Sequence, residues 1–281
     1  MNSAEIIYRL PGRFDGFRPG AHRSKGNGEG YRFRHVAPFL ARPDPRRLDL
    51  RASLVDPFGN LKVRIQEQPT TLKVFALLDL SGSMAFRGAF PKAAVMGDFV
   101  EALAAAVHKN GDTLGVYGAA EHLLPEFSFS ATRWPGSAQR LASRLRRTQP
   151  RGVGCRGLVT AARRLPNRSS LVLVLSDFHM PLTAVKALLD ALYHHWVVPV
   201  VIWDDQEALP GPMGLARLID AEVGSERLLL IRSGLRQRLA ANLEQRKERL
   251  CDVFRRHGRS PLILDRGFSA LEINRYFLSL T

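Results

Sequence analysis

Cysteine is scarce in this 281-residue chain, with only Cys155 and Cys251 present. Two thiols exclude a disulfide framework and any cysteine-rich zinc site, and they point to a reducing compartment. Long apolar runs are missing as well. Stretches such as WVVPVVIW, Trp196 to Trp203, fall far short of the ~20 residues a membrane-crossing helix needs. The N-terminal MNSAEIIYRL lacks the apolar centre of a signal peptide. The expectation is a soluble, cytoplasmic protein without membrane insertion. There is no G-x-x-x-x-G-K-[ST] string, so the chain is not itself a P-loop ATPase. Hydrophobic residues at 45% and charged residues at 24% describe an ordinary globular chain, long enough for one large domain or two small ones.

Carboxylates are absent from one particular stretch. Between Glu126 and Asp177 there are 10 arginines and no acid, which supplies +10 of the formal net charge of +15. One reading is a solvated basic helix face; the other is a docking surface for an anionic partner, whether an acidic protein, nucleic acid or a phosphate-rich ligand. An acidic protein suits it better than nucleic acid, because only Trp134 interleaves the arginines and single-strand binders usually add aromatic stacking platforms.

Residues 1–70 are rich in Gly, Pro and Arg and read as an N-terminal extension of turns and short strands. Within it, Asp44 and Asp49 have Arg46, Arg47 and Arg51 as nearby partners. The pattern changes at Thr71. LKVFALLDL (Leu72 to Leu80), DTLGVYGA, SSLVLVLSDF (Ser169 to Phe178), WVVPVVIWDD and SPLILD read as strands, and a short strand lies near LLPEFSF. Amphipathic helical stretches separate most of them. This alternation predicts an α/β fold over 71–281, a doubly wound, mostly parallel sheet with helices on both faces, carrying a hairpin insertion near 213–231.

In such sheets the functional crevice lies at the carboxyl ends of the strands, where the strand order reverses. Two strand ends here are rich in oxygen: Asp79-Leu80-Ser81-Gly82-Ser83 and Ser176-Asp177. Asp79 and Ser81 could simply cap the following helix. Their placement after one buried strand, with a second acid after another, favours a shared pocket whose hard oxygen ligands suit Mg²⁺. Catalysis is disfavoured. A phosphoryl-accepting Asp79 would want a second carboxylate two residues on, where Ser81 stands, and the serines lack a G-x-S-x-G elbow and a histidine partner. Gly26-Asn27-Gly28-Glu29-Gly30 reads as a turn, His194-His195 as a helix end, and His179 as a surface residue.

At Asp79-x-Ser81-x-Ser83 and Asp177 the chain resembles the metal-ion-dependent adhesion site (MIDAS) of von Willebrand factor A domains. Longer strings, GAHRSKGNGEGYRF, DPRRLDLRAS, LLDLSGSM, LSDF and VVIWDDQEALPGPMGLARLIDAEVG, are similar to the MoxR-associated subfamily. The resemblance implies a non-enzymatic, chaperone-like binding module. It would partner a MoxR-type AAA+ ATPase in maturing a client protein, including metal insertion into enzymes such as methanol dehydrogenase. It further implies that Asp79, Ser81, Ser83 and Asp177 hold Mg²⁺ or another hard divalent cation, completed by a partner's carboxylate. The chain departs from the family's second loop, where Gly152-Val153-Gly154-Cys155 puts a thiol in place of a threonine hydroxyl; soft sulfur is a poor Mg²⁺ ligand. Arg144, Arg147, Arg151 and Arg156 would then meet a client protein with an acidic surface. The alternatives are a metal-independent scaffold that binds an acidic protein through its arginines and, resting on charge alone, a nucleic-acid binder.

Overall fold

The computed structural model describes residues 5–8, 27–28, 32–41, 43–67, 70–152, 154–208, 214–219, 226–231 and 233–280. It separates into two units: Leu10–Leu72, and Met1–Arg9 together with Lys73–Thr281. The smaller unit holds β1 (Asn27–Gly28), β2 (Arg32–Pro38), α1 (Leu50–Leu54) and β3 (Lys62–Glu67). Its antiparallel sheet runs β1-β3-β2. Asp49 caps α1 by accepting from the Ala52 N–H at 3.1 Å, and its other oxygen takes Arg64 Nε at 2.7 Å. Its cationic partner therefore comes from β3 rather than from a sequence neighbour, whereas Asp44 does pair with nearby Arg47 at 3.1 Å.

Residues 5–8 belong with the larger unit, although sequence pattern groups all of 1–70 as one extension. Ile6 and Tyr8 are buried, and hydrogen bonds to residues distant in sequence hold the segment. The Ile7 N–H donates to Asn274 Oδ1 at 2.7 Å, Asn274 Nδ2 donates to the Glu5 carbonyl at 2.8 Å, and the Tyr8 hydroxyl donates to buried Asp112.

The larger unit begins with β4 (Lys73–Asp79), α2 (Lys92–Lys109), β5 (Thr113–Ala119), β6 (Leu123–Thr132) and α3 (Pro135–Arg147). It continues through α4 (Arg156–Arg163), β7 (Leu171–Ser176), α5 (Leu182–Ala191) and β8 (Trp196–Ile202). The antiparallel hairpin β9 (Gly214–Ile219) and β10 (Glu226–Ile231) follows, then α6 (Ser233–Arg256), β11 (Leu262–Leu264) and α7 (Ala270–Ser279). Six strands form one sheet in the order β11-β8-β7-β4-β5-β6, parallel except for β6 at the edge. The expected α/β class is the observed one.

Alternation along each strand explains why the sheet is covered on both sides. Phe75, Leu77, Val172, Val174, Val197 and Val201 pack with Leu158 and Ala161 of α4, Val185 and Leu188 of α5, and Val253 and Phe254 of α6. The intervening Val74, Ala76, Leu78, Leu173, Leu175 and Val198 are also buried, on the opposite face. From β4 the chain moves outward to β5 and β6, then returns to β7 on the other side of β4. The reversal of strand order therefore falls between β4 and β7, the two strands whose ends carry Asp79 and Asp177.

Helix α4 enters this region closely. The Gly157 N–H donates to the Ala120 carbonyl at 2.9 Å, and a Cβ on Gly157 would stand 2.7 Å from backbone atoms of Ala120 and His122. Gly→Ala inside a helix ordinarily stabilises by ~1 kcal/mol. Here Gly157→Ala is expected to destabilise by about 1–3 kcal/mol, because backbone rather than a movable side chain blocks the methyl. Urea unfolding of the variant measures this, and an unchanged or raised midpoint would contradict it.

Candidate functional site

The site grows from the last residue of β4. Asp79 is 1% exposed, its Oδ1 accepts from the Ser81 N–H at 2.9 Å, and its Oδ2 accepts from the Ser176 hydroxyl at 2.5 Å. Ser176 ends β7 and also accepts from the Phe178 N–H at 2.8 Å. Two neighbouring strand ends are thus joined by one carboxylate and one hydroxyl. The Ser81 and Ser83 hydroxyl oxygens lie 3.1 Å apart, and Ser83 donates to Asp177 Oδ1 at 3.1 Å. Ser81, Ser83 and Asp177 therefore share one hydrogen-bond chain, with Asp79 bound to its first link.

The turn carrying Asp177 is strained and clamped. Phe178 has φ +53°, a conformation uncommon for a bulky residue and costing roughly 1–3 kcal/mol. Its buried ring packs edge-on against Phe254, with centroids 5.1 Å apart. Trp203 Nε1 donates to the Asp177 carbonyl at 2.9 Å, and Arg246 of α6 donates to the carbonyls of Phe178, at 2.7 Å, and Met180. Packing and three hydrogen bonds hold the acid in place despite the backbone conformation.

The second loop reaches the first through its backbone. The Gly82 N–H donates to the Gly152 carbonyl at 2.6 Å, and the Gly152 N–H donates to the Leu80 carbonyl at 3.3 Å. A Cβ on Gly152 would lie 2.1 Å from Ala120 Cβ, so this approach requires glycine. Val153 lies outside the described residues. Cys155 is buried and belongs to the apolar cluster beneath α4. The four candidate arginines are all exposed. Arg151 and Arg156 bracket the second loop, with Arg156 3.5 Å from Glu121. Arg144 and Arg147 are on α3, where Arg144 lies over the Phe127 ring and donates to the Glu126 carbonyl at 2.7 Å.

Sequence reasoning missed the residues that balance the site's charge. Lys92, the first residue of α2, has a side chain 0% exposed and its Nζ 2.7 Å from both Asp177 Oδ2 and Glu207 Oε1. Glu207 Oε2 lies 2.5 Å from His179 Nε2. Burial alone would push the Lys92 ammonium to release its proton, but Asp177 and then Glu207 reverse this and hold it above the ordinary lysine value. Burial pushes Asp177 up, and Lys92 followed by His179 outweighs that and leaves it below the usual carboxylate range. His179 is held above its ordinary value, because Glu207 and Asp177 overcome its burial. It is therefore a member of the site, not the surface residue expected. Asp204 adds a brace, accepting from the Ala89 N–H at 2.6 Å and the Gln206 N–H at 2.9 Å. One signal was available: Lys92 directly precedes the uncharged run Ala93-Ala94-Val95-Met96-Gly97, where much of the helix must be buried.

A divalent cation can be tested against these contacts. The donors are hard oxygens, as Mg²⁺ prefers. Yet both Asp79 oxygens accept hydrogen bonds, Asp177 Oδ2 faces an ammonium, and Cys155 sits among apolar side chains. A dication ~5 Å from that ammonium would meet repulsion of roughly 5–7 kcal/mol at an effective dielectric of ~20. The residues as arranged do not fit a divalent ion beside Lys92.

An α/β domain with a buried carboxylate–hydroxyl–ammonium cluster at its switch point is thus the class that fold and site define. The family described as "Protein of unknown function DUF58" matches residues 46–249, and the chain belongs to it. A Paracoccus denitrificans protein described as "Uncharacterized protein in moxR 3'region" is 35% identical over 99 residues, covering 35% of this chain and 94% of that one. Among solved structures, BatB from Bacteroides thetaiotaomicron overlaps 74% of this chain and 97% of its own, at 15% identity and a TM-score of 0.42. Proximal thread matrix protein 1 from the mussel byssus, with a zinc-occupied MIDAS motif, overlaps 75% of this chain and 47% of its own, at 14% identity and a TM-score of 0.38. The fold assignment rests on the strand order above and not on these partial overlaps.

Two outcomes follow from the buried charges. Asp177→Asn leaves the Lys92 ammonium with Glu207 as its remaining anion, and is expected to destabilise by about 3–5 kcal/mol in urea unfolding. Burial, then the Asp177 charge, raises Asp79 from its ordinary 3.8 to about 6. The folded state therefore holds an extra proton within that window, and stability falls as pH rises through it. Asp79→Asn cannot titrate and should gain roughly 2–3 kcal/mol relative to the natural chain between about pH 4 and 6.5. Parallel stability–pH curves for the two proteins would contradict this.

Proposed function

We propose that this protein is a non-enzymatic binding module of von Willebrand factor A type that works with a MoxR-type AAA+ ATPase on a client protein. Its docking face is the carboxyl end of the sheet. The observation that carries this reading is the convergence of Asp79, Ser81, Ser83 and Asp177 at the reversal of strand order, where open α/β sheets place their ligands. The relative encoded in a moxR 3' region supports the choice of an ATPase partner. A binding role is also supported by what the site's groups are doing. Asp79 is buried with both oxygens bonded, and His179 is held by Glu207 rather than by a serine, so no nucleophile stands ready.

The arginines at the second loop support an acidic partner surface. Arg151 makes no ion pair among the described residues, and the Arg156 side chain is 86% exposed, with Glu121 at 3.5 Å. Charges on a rim act mainly on association rate and lose effect beyond a Debye length of ~8 Å at physiological salt. Association of this protein with the MoxR-type ATPase, read by surface plasmon resonance, should therefore weaken as salt rises. The double variant Arg151→Glu, Arg156→Glu should slow association about tenfold or more, while Arg163→Glu, away from the loop, changes it little. Binding to the ATPase that ignored both salt and the loop reversal would remove this face from consideration. No binding at all would overturn the ATPase as partner.

A further inference from the structure

We infer that Lys92 is the resident cation of this site: its ammonium takes the charge-balancing place of a divalent ion, and the docking face works without metal. The inference deepens the binding-module reading and rests on it for its consequence, but its physical basis is separate. Three strand-end segments converge on one nitrogen. Asp177 follows β7, Glu207 lies in the 3-10 turn after β8, and Lys92 itself is delivered by the loop that leaves β4. Nζ contacts both carboxylates at 2.7 Å, and the side chain has no solvent exposure.

The remaining acceptors in the network are also spoken for. Asp177 Oδ1 takes the Ser83 hydroxyl and the His179 N–H, each at 3.1 Å. Glu207 Oε1 takes the Asp204 N–H at 3.1 Å as well as Lys92, and Oε2 faces His179. The loop delivering the lysine is pinned where it passes Asp204, through the Ala89 N–H. Its ring at Phe86 lies 5.8 Å from Nζ, adding an aromatic face to the two anions. A chain of hydrogen bonds and ion pairs therefore runs Ser81–Ser83–Asp177–Lys92–Glu207–His179.

A surface lysine would leave this chain open to an ion. A buried one, flanked by two anions, closes it, because expelling the ammonium would break two ion pairs of 2.7 Å. Cys155, at the second loop, is buried in the apolar cluster.

Mn²⁺ binding tests the inference directly. The natural protein, titrated with Mn²⁺ and followed by electron paramagnetic resonance, is expected to show no saturable binding at the site, and its Tm should be the same in Mn²⁺ and in EDTA. Lys92→Met removes the ammonium and leaves its carboxylates. That variant should gain Mn²⁺ binding, with Tm rising about 5 °C at ~100-fold excess over Kd. If Lys92→Met does not fold, Lys92→Met with Glu207→Gln, which removes one uncompensated charge, is measured in its place. Saturable binding to the natural protein that disappears in Asp79→Ala would overturn the inference, and so would a folded lysine variant that gains no ion. Association with the ATPase that needs metal overturns the role of Lys92 and spares the binding-module reading. A metal-indifferent natural protein that gains ion binding in the variant but finds no ATPase partner does the reverse.

Discussion

One ammonium group organises the carboxyl end of this sheet. A lysine side chain without solvent exposure loses its hydration, a cost that only close anions offset. Asp177 and Glu207, each 2.7 Å from Nζ, supply them. Because those acids follow different strands, the ion pair also ties the start of α2 to the turns after β7 and β8. Each carboxylate then needs donors for its other lone pairs. The Ser83 hydroxyl, the His179 and Asp204 N–H groups and the His179 ring meet that need. Asp177, which suits metal ligation by type, is held here by a lysine instead, and Ser83 donates to it.

The site stores unfavourable terms that the surrounding core must support. Phe178 adopts a left-handed backbone, and Asp79 is held in a setting that favours its protonated form. Both persist because apolar packing on the two sheet faces fixes the strand ends, and because Phe254, Trp203 and Arg246 hold the turn from the α6 and β8 sides. The contacts that offset these costs also restrain the turn after β7. A rigid set of loops suits a docking face, since little conformational freedom is left to lose when a partner binds.

Around this closed interior the outer surface is basic. The stretch from Arg133 to Arg168 keeps its arginines exposed, and Arg146 is drawn off by Asp98 and Glu101 of α2. Arg151 and Arg156 stand nearest the second loop, while Arg144 is engaged with β6. The positive field is thus unevenly available. Linear charge density exposes its existence, but only the path of α3 and α4 over the sheet decides which arginines flank the pocket.

The sequence by itself determined the class of fold and the first half of the site. Runs such as LVLVLS and VFALLD can be satisfied only by burial on both faces, and their spacing with amphipathic helices leaves little choice but a wound parallel sheet. Asp79, Ser81, Ser83 and Asp177 were legible because they follow those runs directly, and chain direction alone carries them to one edge. The partner of Asp49, the attachment of residues 5–8, and above all the place of Lys92, Glu207 and His179 were not legible. Each depends on segments distant in sequence meeting in space: Lys92 and Asp177 are 85 positions apart. A lysine in a helix reads as solvated until the fold encloses it. Tertiary structure alone decided that this one is enclosed, and that the charge at the heart of the site comes from the chain.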